Sequence, residues 1–382
     1  MDFNCTTAQT ALIQNVADFV THVVNPALAP VPDPANFDHS LWKTCAEHGL
    51  LACGMPEPWG WADRSDYLST ILVLESVGYA CTDNALPFAL AAQGCTVQHT
   101  LLHHGSDAQI DAYLPGCIAG DLLGSHAMTE PAAGSDSSAV ALTAERQNDG
   151  YVLNGEKLMI TLAPVADFHV VFATINPAAG RWGITSFIVD SNTPGLDVSG
   201  PMKKLGLESI PMGRLRFDNC FIPESARLGP EGAGAAIAHK SLEVERTAIL
   251  ASQVGRMRRQ LESAVQHAKQ RQQFGKPIDQ FQAVSHRLAD MRVRLETAQL
   301  LLYKTAWKLD QQQNAILESS MLKLLISESF LASSMDAMRV HGGYAYIDDH
   351  HSGIDTQDAL GGVLYAGTSD IQRNIIAGLL DQ

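Results

Sequence analysis

Apolar positions recur at helical spacing through the first 120 residues. In "DYLSTILVLESVGYA", Tyr67, Ile71, Leu74 and Val77 fall on one helix face, and Pro and Gly punctuate the stretches between such segments. The texture changes after Gly120. "YVLNGEKLMIT", "FHVVFATI", "WGITSFIVD" and "GRLRFDNCFI" are short runs rich in β-branched and aromatic residues, separated by Gly, Pro, Asn and Asp. Such runs predict an antiparallel β unit. Beyond "PEGAGAAIAHK" the helical period returns and persists to Leu380. Four or five helices are expected there, with breaks near Lys276–Pro277, in "LDQQQNA" and in "HGGYAYIDDHH". The predicted class is α+β: a helical domain over residues 1–120, an antiparallel β domain over 121–228 and a helical bundle over 229–382. No internal repeat is visible.

Composition narrows the functional classes. Apolar residues make up 46% and charged residues 18% of 382 positions, an ordinary globular balance. No apolar run approaches the ~20 residues that span a bilayer, and "MDFNCTTAQTALIQ" lacks the basic and apolar regions of a secretory signal. A cytoplasmic location is the expectation. Seven scattered cysteines, never in C-x-x-C spacing, predict reduced thiols and no zinc site. A net charge of −15 argues against a nucleic-acid binder and disfavours anionic membranes. Local cationic candidates are Arg256 with Arg258 and Arg259, Lys203 with Lys204, and Lys269 with Arg271, although each of them reads more readily as an ordinary solvated helix face.

Six separate stretches carry a more specific signal. They are "AMTEPAAGSDSSA" (127–139), "NGEKLMIT" (154–161), "KLGLESIPMGRLRFDNCFIP" (204–223), "RQQFGKPIDQFQAV" (271–284), "MRVHGGYAY" (338–346) and "YAGTSDIQRNIIA" (365–377). In this order and spacing the chain resembles the acyl-CoA dehydrogenase family over essentially its whole length. The resemblance implies an N-terminal helical domain, a middle β domain and a C-terminal four-helix bundle. It further implies FAD as cofactor, a homotetramer or dimer of dimers, and an acyl thioester of CoA or a carrier protein as substrate. The electron acceptor would be an electron-transfer flavoprotein or oxygen. Residues matching the family's flavin positions are His126, Met128, Thr129, Ser135, Met159, Ile160 and Thr161. Arg271 and Phe274 match residues that reach the cofactor of a neighbouring subunit, and Gln282, Arg339, Gly342, Gly343, Thr368 and Asp370 fill further cofactor positions. Ser135 and Arg246 match positions near the pantetheine or thioester arm. Two departures stand out: Met159 where a tryptophan is common, and Arg339 where glutamine is common.

A third departure concerns the chemistry. Family members with this C-terminal signature often carry a glutamate at the position of Ala366, and that glutamate removes the substrate α-proton. An alanine there keeps the backbone N–H that donates to the thioester carbonyl and loses only the carboxylate. A replacement is visible in "HKSLEVERTAILAS" (239–252). On a helix, Glu245 neighbours Ala238, Ser241, Leu242, Ala248, Ile249 and Ser252, an apolar or small stripe, whereas Glu243 neighbours His239, Lys240, Arg246 and Thr247, which reads as a solvated face. A lone carboxylate in an apolar stripe has its pKa raised towards ~6–8, where a general base works. The pattern alone also allows a structural glutamate. The resemblance favours the base, because the branch containing isovaleryl-CoA dehydrogenase and the prolyl-carrier-protein dehydrogenases places its glutamate on this helix, in "ER". Relatives with a base here take branched or cyclic acyl groups. A non-catalytic flavoprotein subunit and a flavin monooxygenase or oxidase are the competing readings. The histidine pairs 103–104 and 350–351 and the acidic pair Asp348–Asp349 read as surface groups, and no metal site is expected.

Overall fold

The computed structural model describes residues 5–29, 33–60, 66–347 and 351–380. Seven helices come first: α1 (Thr7–Phe19), α2 (Asn25–Ala27), α3 (His39–Glu47), α4 (Tyr67–Ala80), α5 (Ala85–Ala92), α6 (His99–His104) and α7 (Asp107–Ala119). Caps explain several of their starts. Asp38 and Asp66 accept from backbone N–H groups in the first turns of α3 and α4, and Thr6 and Ser106 close capping boxes on α1 and α7. Between α5 and α6 the chain runs without interruption through a π-helical turn, Gln93–Gln98. Glycine ends α7: Gly120 sits at φ 75°, the left-handed C-terminal position.

Eight strands follow: β1 (Gly124–Ala127), β2 (Thr143–Gln147), β3 (Gly150–Thr161), β4 (Phe168–Thr174), β5 (Ile184–Asp190), β6 (Leu196–Val198), β7 (Met212–Pro223) and β8 (Arg227–Leu228). They form one sheet in the order β6-β7-β3-β2-β4-β5-β8, with β1 beside β4. The sheet is mixed where a purely antiparallel one was expected. β1 runs parallel to β4 because the chain enters from α7 in the direction β4 later takes, and β2 meets β4 in parallel at one register position. The remaining pairings are antiparallel. Every residue of β4 is buried, so this strand reads as a continuous apolar run, while β7 alternates buried and exposed positions.

The last third is helical: α8 (Gly234–Gln270), a two-stranded hairpin of β9 (Gln272–Gln273) and β10 (Lys276–Pro277), α9 (Gln282–Asp310), α10 (Ile316–His341), α11 (His351–Gly362) and α12 (Ser369–Gly378). The 37-residue α8 is the axis of the molecule. It packs on α4, α5, α9, α10, the π-helical turn and β5, so it touches all three parts of the chain.

One crossing sets the position of the N-terminal helices over that axis. A Cβ on Gly78 of α4 would lie 2.1 Å from the Ser252 carbonyl oxygen, and one on Gly255 of α8 would lie 1.9 Å from the Glu75 carbonyl oxygen. Two glycines let the backbones touch. Gly255→Ala is therefore expected to cost about 2 kcal/mol or more through overpacking, although alanine gains ~1 kcal/mol in helix propensity. Thermal denaturation would show a lowered midpoint for this variant and none for Gly378→Ala, whose added methyl meets nothing within 4 Å.

Candidate active site

Glu245 and Arg246 are consecutive on α8 and face the C-terminal loop between α11 and α12. Arg246 Nε donates to the Ala366 carbonyl at 2.9 Å, and Gln372 Nε2 donates to the same oxygen at 3.3 Å. Ala366 has φ 53° and Gly367 φ 87°, so two successive left-handed residues reverse the chain here. With its carbonyl held from two sides, Ala366 leaves its N–H without a protein acceptor among the described residues. That is the arrangement an oxyanion donor needs.

Glu245 keeps part of its surface accessible, yet protein surrounds its carboxyl closely enough to push its pKa up to about 7. Burial is the main cause. The Arg246 charge and the Thr96 hydroxyl of the π-helical turn oppose it. Tyr365 and Cys95 stand near enough for the carboxylate to raise their own pKa values. Glu243 differs from the sequence expectation. It is only 5% exposed, accepts from the Ala315 N–H at 2.9 Å and pairs with Lys240 at 3.0 Å. A two-faced helical pattern fails there because α8 is enclosed on most sides.

A second group lies on the β domain. Lys157, 0% exposed, donates to the Met128 carbonyl at 3.0 Å and pairs with Glu130 at 2.8 Å. Glu130 also accepts from the Ala141 and Leu142 N–H groups, and the Leu158 N–H donates to the Thr129 carbonyl. These bonds pin the segment after β1 against β3. The β3–β7 register slips between Lys157 and Ile160, and Met159 in that bulge has φ 57° and stands exposed. Beside it, Thr129 and Thr161 are half-buried and their hydroxyls pair with no protein group among the described residues. Ile160 is buried and Ser135 exposed. His126, driven down to about 4 by burial, stays neutral and lies 3.4 Å from Ser241 of α8, which links this wall to the helix that carries Glu245. Unpaired hydroxyls beside an exposed thioether suit the polar edge and flat face of a flavin ring.

The third group sits at the far end of the bundle. A cavity of about 460 Å³ opens between His267, Arg271, His341, Gly342, Gly343 and Tyr344. Gly342 requires its positive φ of 66°, and neither glycine's missing Cβ would meet an atom within 4 Å. Arg271 has no ion pair among the described residues and lies 5.9 Å from the Tyr344 ring centroid. Phe274 is 94% exposed with φ 49°. Gln282 opens α9. Arg339 is held by Asp336, which also binds Arg287 and Arg294, so three cations face one carboxylate. An unpaired arginine, an exposed phenylalanine and an open glycine pair fit an anionic, aromatic ligand arm delivered from outside the chain. Thr368 caps α12, and Asp370 is exposed and pairs with Arg373. Thr368 belongs with the Ala366 loop of the first group, because the Gln372 N–H donates to its carbonyl at 3.0 Å.

The patch expected around Arg256, Arg258 and Arg259 is absent as a surface. Arg256 is buried on Asp355, Arg258 pairs with the buried Glu75, and Arg259 donates to the Ala80 and Cys81 carbonyls. Their spacing follows the junction of α8 with α4. Lys269 stays exposed beside Arg271. No disulfide joins any of the seven cysteines, no metal-binding cluster occurs among the described residues, and among them no helix is long and apolar enough to cross a membrane. Asp348, Asp349 and His350 lie outside the described residues. Thr96, the Lys157–Glu130 pair and Lys323, which donates to the Gly362 carbonyl at 2.8 Å below the Ala366 loop, were not singled out in the sequence. A lone lysine in the apolar run "MLKLLIS" was the available signal for the last.

Comparison with known proteins follows the same three parts. Family models for the N-terminal, middle and C-terminal domains of acyl-CoA dehydrogenases match residues 6–121, 125–220 and 232–380. An L-prolyl-[peptidyl-carrier protein] dehydrogenase of Pseudomonas fluorescens is 41% identical over 342 residues, covering 89% of this chain and 90% of that protein. The crystal structure of the prolyl acyl carrier protein oxidase AnaB superposes with a TM-score of 0.96 at 37% identity, covering 99% of this chain and 100% of that one. PigA with FAD and proline gives 0.94 at 36% identity, covering 100% and 99%.

The raised pKa of Glu245 has a stability consequence. Its folded value of about 7 lies above the ordinary 4.5, so its contribution is fully present below pH 4.5 and is lost as pH rises through 7. Glu245→Gln should therefore gain stability over the wild type increasingly between pH 5 and pH 8, by up to about 3 kcal/mol, read as a widening gap between their denaturation midpoints. A gap that does not change with pH would contradict the assignment.

Proposed function

Because the chain belongs to the acyl-CoA dehydrogenase family, we propose that it oxidises a short branched or cyclic acyl thioester with FAD, the acyl group being prolyl on the phosphopantetheine arm of a carrier protein. The observation that carries the reading is Glu245, a carboxylate with pKa about 7 placed beside Arg246, which holds the Ala366 loop. Similarity to prolyl-carrier-protein dehydrogenases in sequence and to AnaB and PigA in structure supports the acyl group.

FAD would supply the two-electron acceptor for the β-hydride, while the pair left by the departing α-proton would become the new Cα=Cβ bond. The chain's own residues do the rest. Ionised Glu245 takes the α-proton and holds it on its carboxyl. The Ala366 N–H stabilises charge on the thioester oxygen as that proton leaves, which lowers the α-carbon acidity barrier. Arg246 keeps that N–H in place and favours the ionised form of the base. Thr129, Thr161 and the Met159 bulge would hold the flavin ring, with the Lys157–Glu130 pair fixing both segments. Electrons would pass to an electron-transfer flavoprotein or to oxygen, which oxygen uptake during turnover distinguishes.

The proposed assembly is a homotetramer in which Arg271 and Phe274 reach the FAD of a neighbouring subunit. Support comes from the exposed Phe274, Tyr346 and Ile347 around the bundle-end cavity. A further apolar stripe, Val293, Leu300 and Trp307, lies along the outside of α9 at seven-residue spacing.

Two outcomes test these readings. Glu245→Gln should keep its flavin while anaerobic flavin reduction by substrate falls at least ~10²-fold. Among prolyl-carrier protein, prolyl-CoA and isovaleryl-CoA, the first should bleach the flavin fastest. Fast bleaching by isovaleryl-CoA alone would leave an isovaleryl-type acyl-CoA dehydrogenase, and none by any thioester would leave a non-catalytic subunit. Arg271→Ala should release FAD and shift sedimentation towards smaller species together, because binding and assembly are linked. A smaller species that retains its flavin would refute the shared site.

A further inference from the structure

Thr96 belongs to the π-helical turn Gln93–Gln98, which packs on α8. A π turn adds a residue to the helical cycle and recurs at functional sites. Here it brings two consecutive side chains, Cys95 and Thr96, close to the Glu245 carboxylate. Thr96 is 2% exposed, and its Oγ1 lies near that carboxylate without settling into a well-formed hydrogen bond with any protein group. The side-chain amide of Gln98 in the same turn is also buried, with neither its nitrogen nor its oxygen paired. Buried polar atoms are ordinarily paired, and a cluster of exceptions calls for a ligand or water.

The chemistry says which part of the substrate comes here. A base that removes the α-proton must approach the α-carbon within hydrogen-bond reach. Whatever substituent the α-carbon carries is one bond away from that contact, so a side chain beside the Glu245 carboxyl also stands beside the α-substituent. In a prolyl group that substituent is the ring nitrogen. A hydroxyl has one donor and two acceptor positions, so Thr96 can donate to the Glu245 carboxylate and accept from the ring N–H at once. A carbocyclic ring of the same size would offer CH₂ instead and leave the hydroxyl without its donor.

Resting on the proposed reaction, we infer that Thr96 is the residue that selects an α-amino acyl group, accepting a hydrogen bond from the substrate's ring N–H. The discrimination is of the kind in which a site built to pair a polar group rejects the analogue that lacks it.

The test compares prolyl and cyclopentanecarbonyl thioesters, each loaded on the same carrier protein and each as its CoA thioester. The readout is the rate of anaerobic flavin bleaching by the holoenzyme. Wild type should favour prolyl by at least ~10-fold. In Thr96→Val, nearly the same in shape, that ratio should collapse towards one, and in Thr96→Ser, which keeps the hydroxyl, it should return. An unchanged ratio in Thr96→Val, with prolyl still oxidised, would overturn the inference and leave the proposed function standing. Bleaching of wild type by isovaleryl-CoA with neither ring thioester would overturn the proposed substrate and this inference with it.

Discussion

The hydrogen bond from Arg246 to the Ala366 carbonyl is the contact on which the site depends. It joins the central helix to a loop that reverses through two successive left-handed residues, Ala366 and Gly367. Because Glu245 precedes Arg246 in the chain, that bond also ties the carboxylate proposed as the base to the loop whose Ala366 N–H is the proposed oxyanion donor. In the proposed reaction, the two functions that α-proton removal requires are thereby coupled through adjacent residues on α8. Gln372 Nε2 on the same carbonyl and Lys323 on the Gly362 carbonyl brace the loop from behind.

Electrostatics around that bond are balanced. Burial raises the Glu245 pKa, and the neighbouring guanidinium and the Thr96 hydroxyl lower it, with the net result about 7. Burial alone would leave a neutral acid unable to accept a proton at physiological pH, and the arginine without burial would leave a weak base. The close approach of α4 to α8 at Gly78 and Gly255 anchors the N-terminal helices, and the continuous run from α5 through the π-helical turn closes over Glu245.

Much of this was legible in the sequence because it depends on local chemistry. The alternation of helical and strand texture gave three segments, and the neighbours of Glu245 at three and four residues' distance marked a carboxylate in an apolar stripe. Where the sequence misled, long-range packing was responsible. Glu243 has polar neighbours on its own helix but is buried by a loop more than seventy positions later, through the Ala315 N–H. Arg256, Arg258 and Arg259 look like a cationic run until α4 and α11 supply their partners. The parallel β1–β4 pairing joins strands more than forty residues apart, which no local pattern encodes. Thr96 was invisible because nothing local says that a π turn will swing it towards α8.

The most direct measurement is the pH dependence of anaerobic flavin reduction by stopped flow, in wild type and in Glu245→Gln with the same thioester. The rate in wild type should rise through pH about 7, following ionisation of Glu245, and then level off. That rising limb should be missing from the residual rate of the variant, whose substrate titrates identically. A limb common to both proteins, or a flat profile in wild type, would place the base elsewhere.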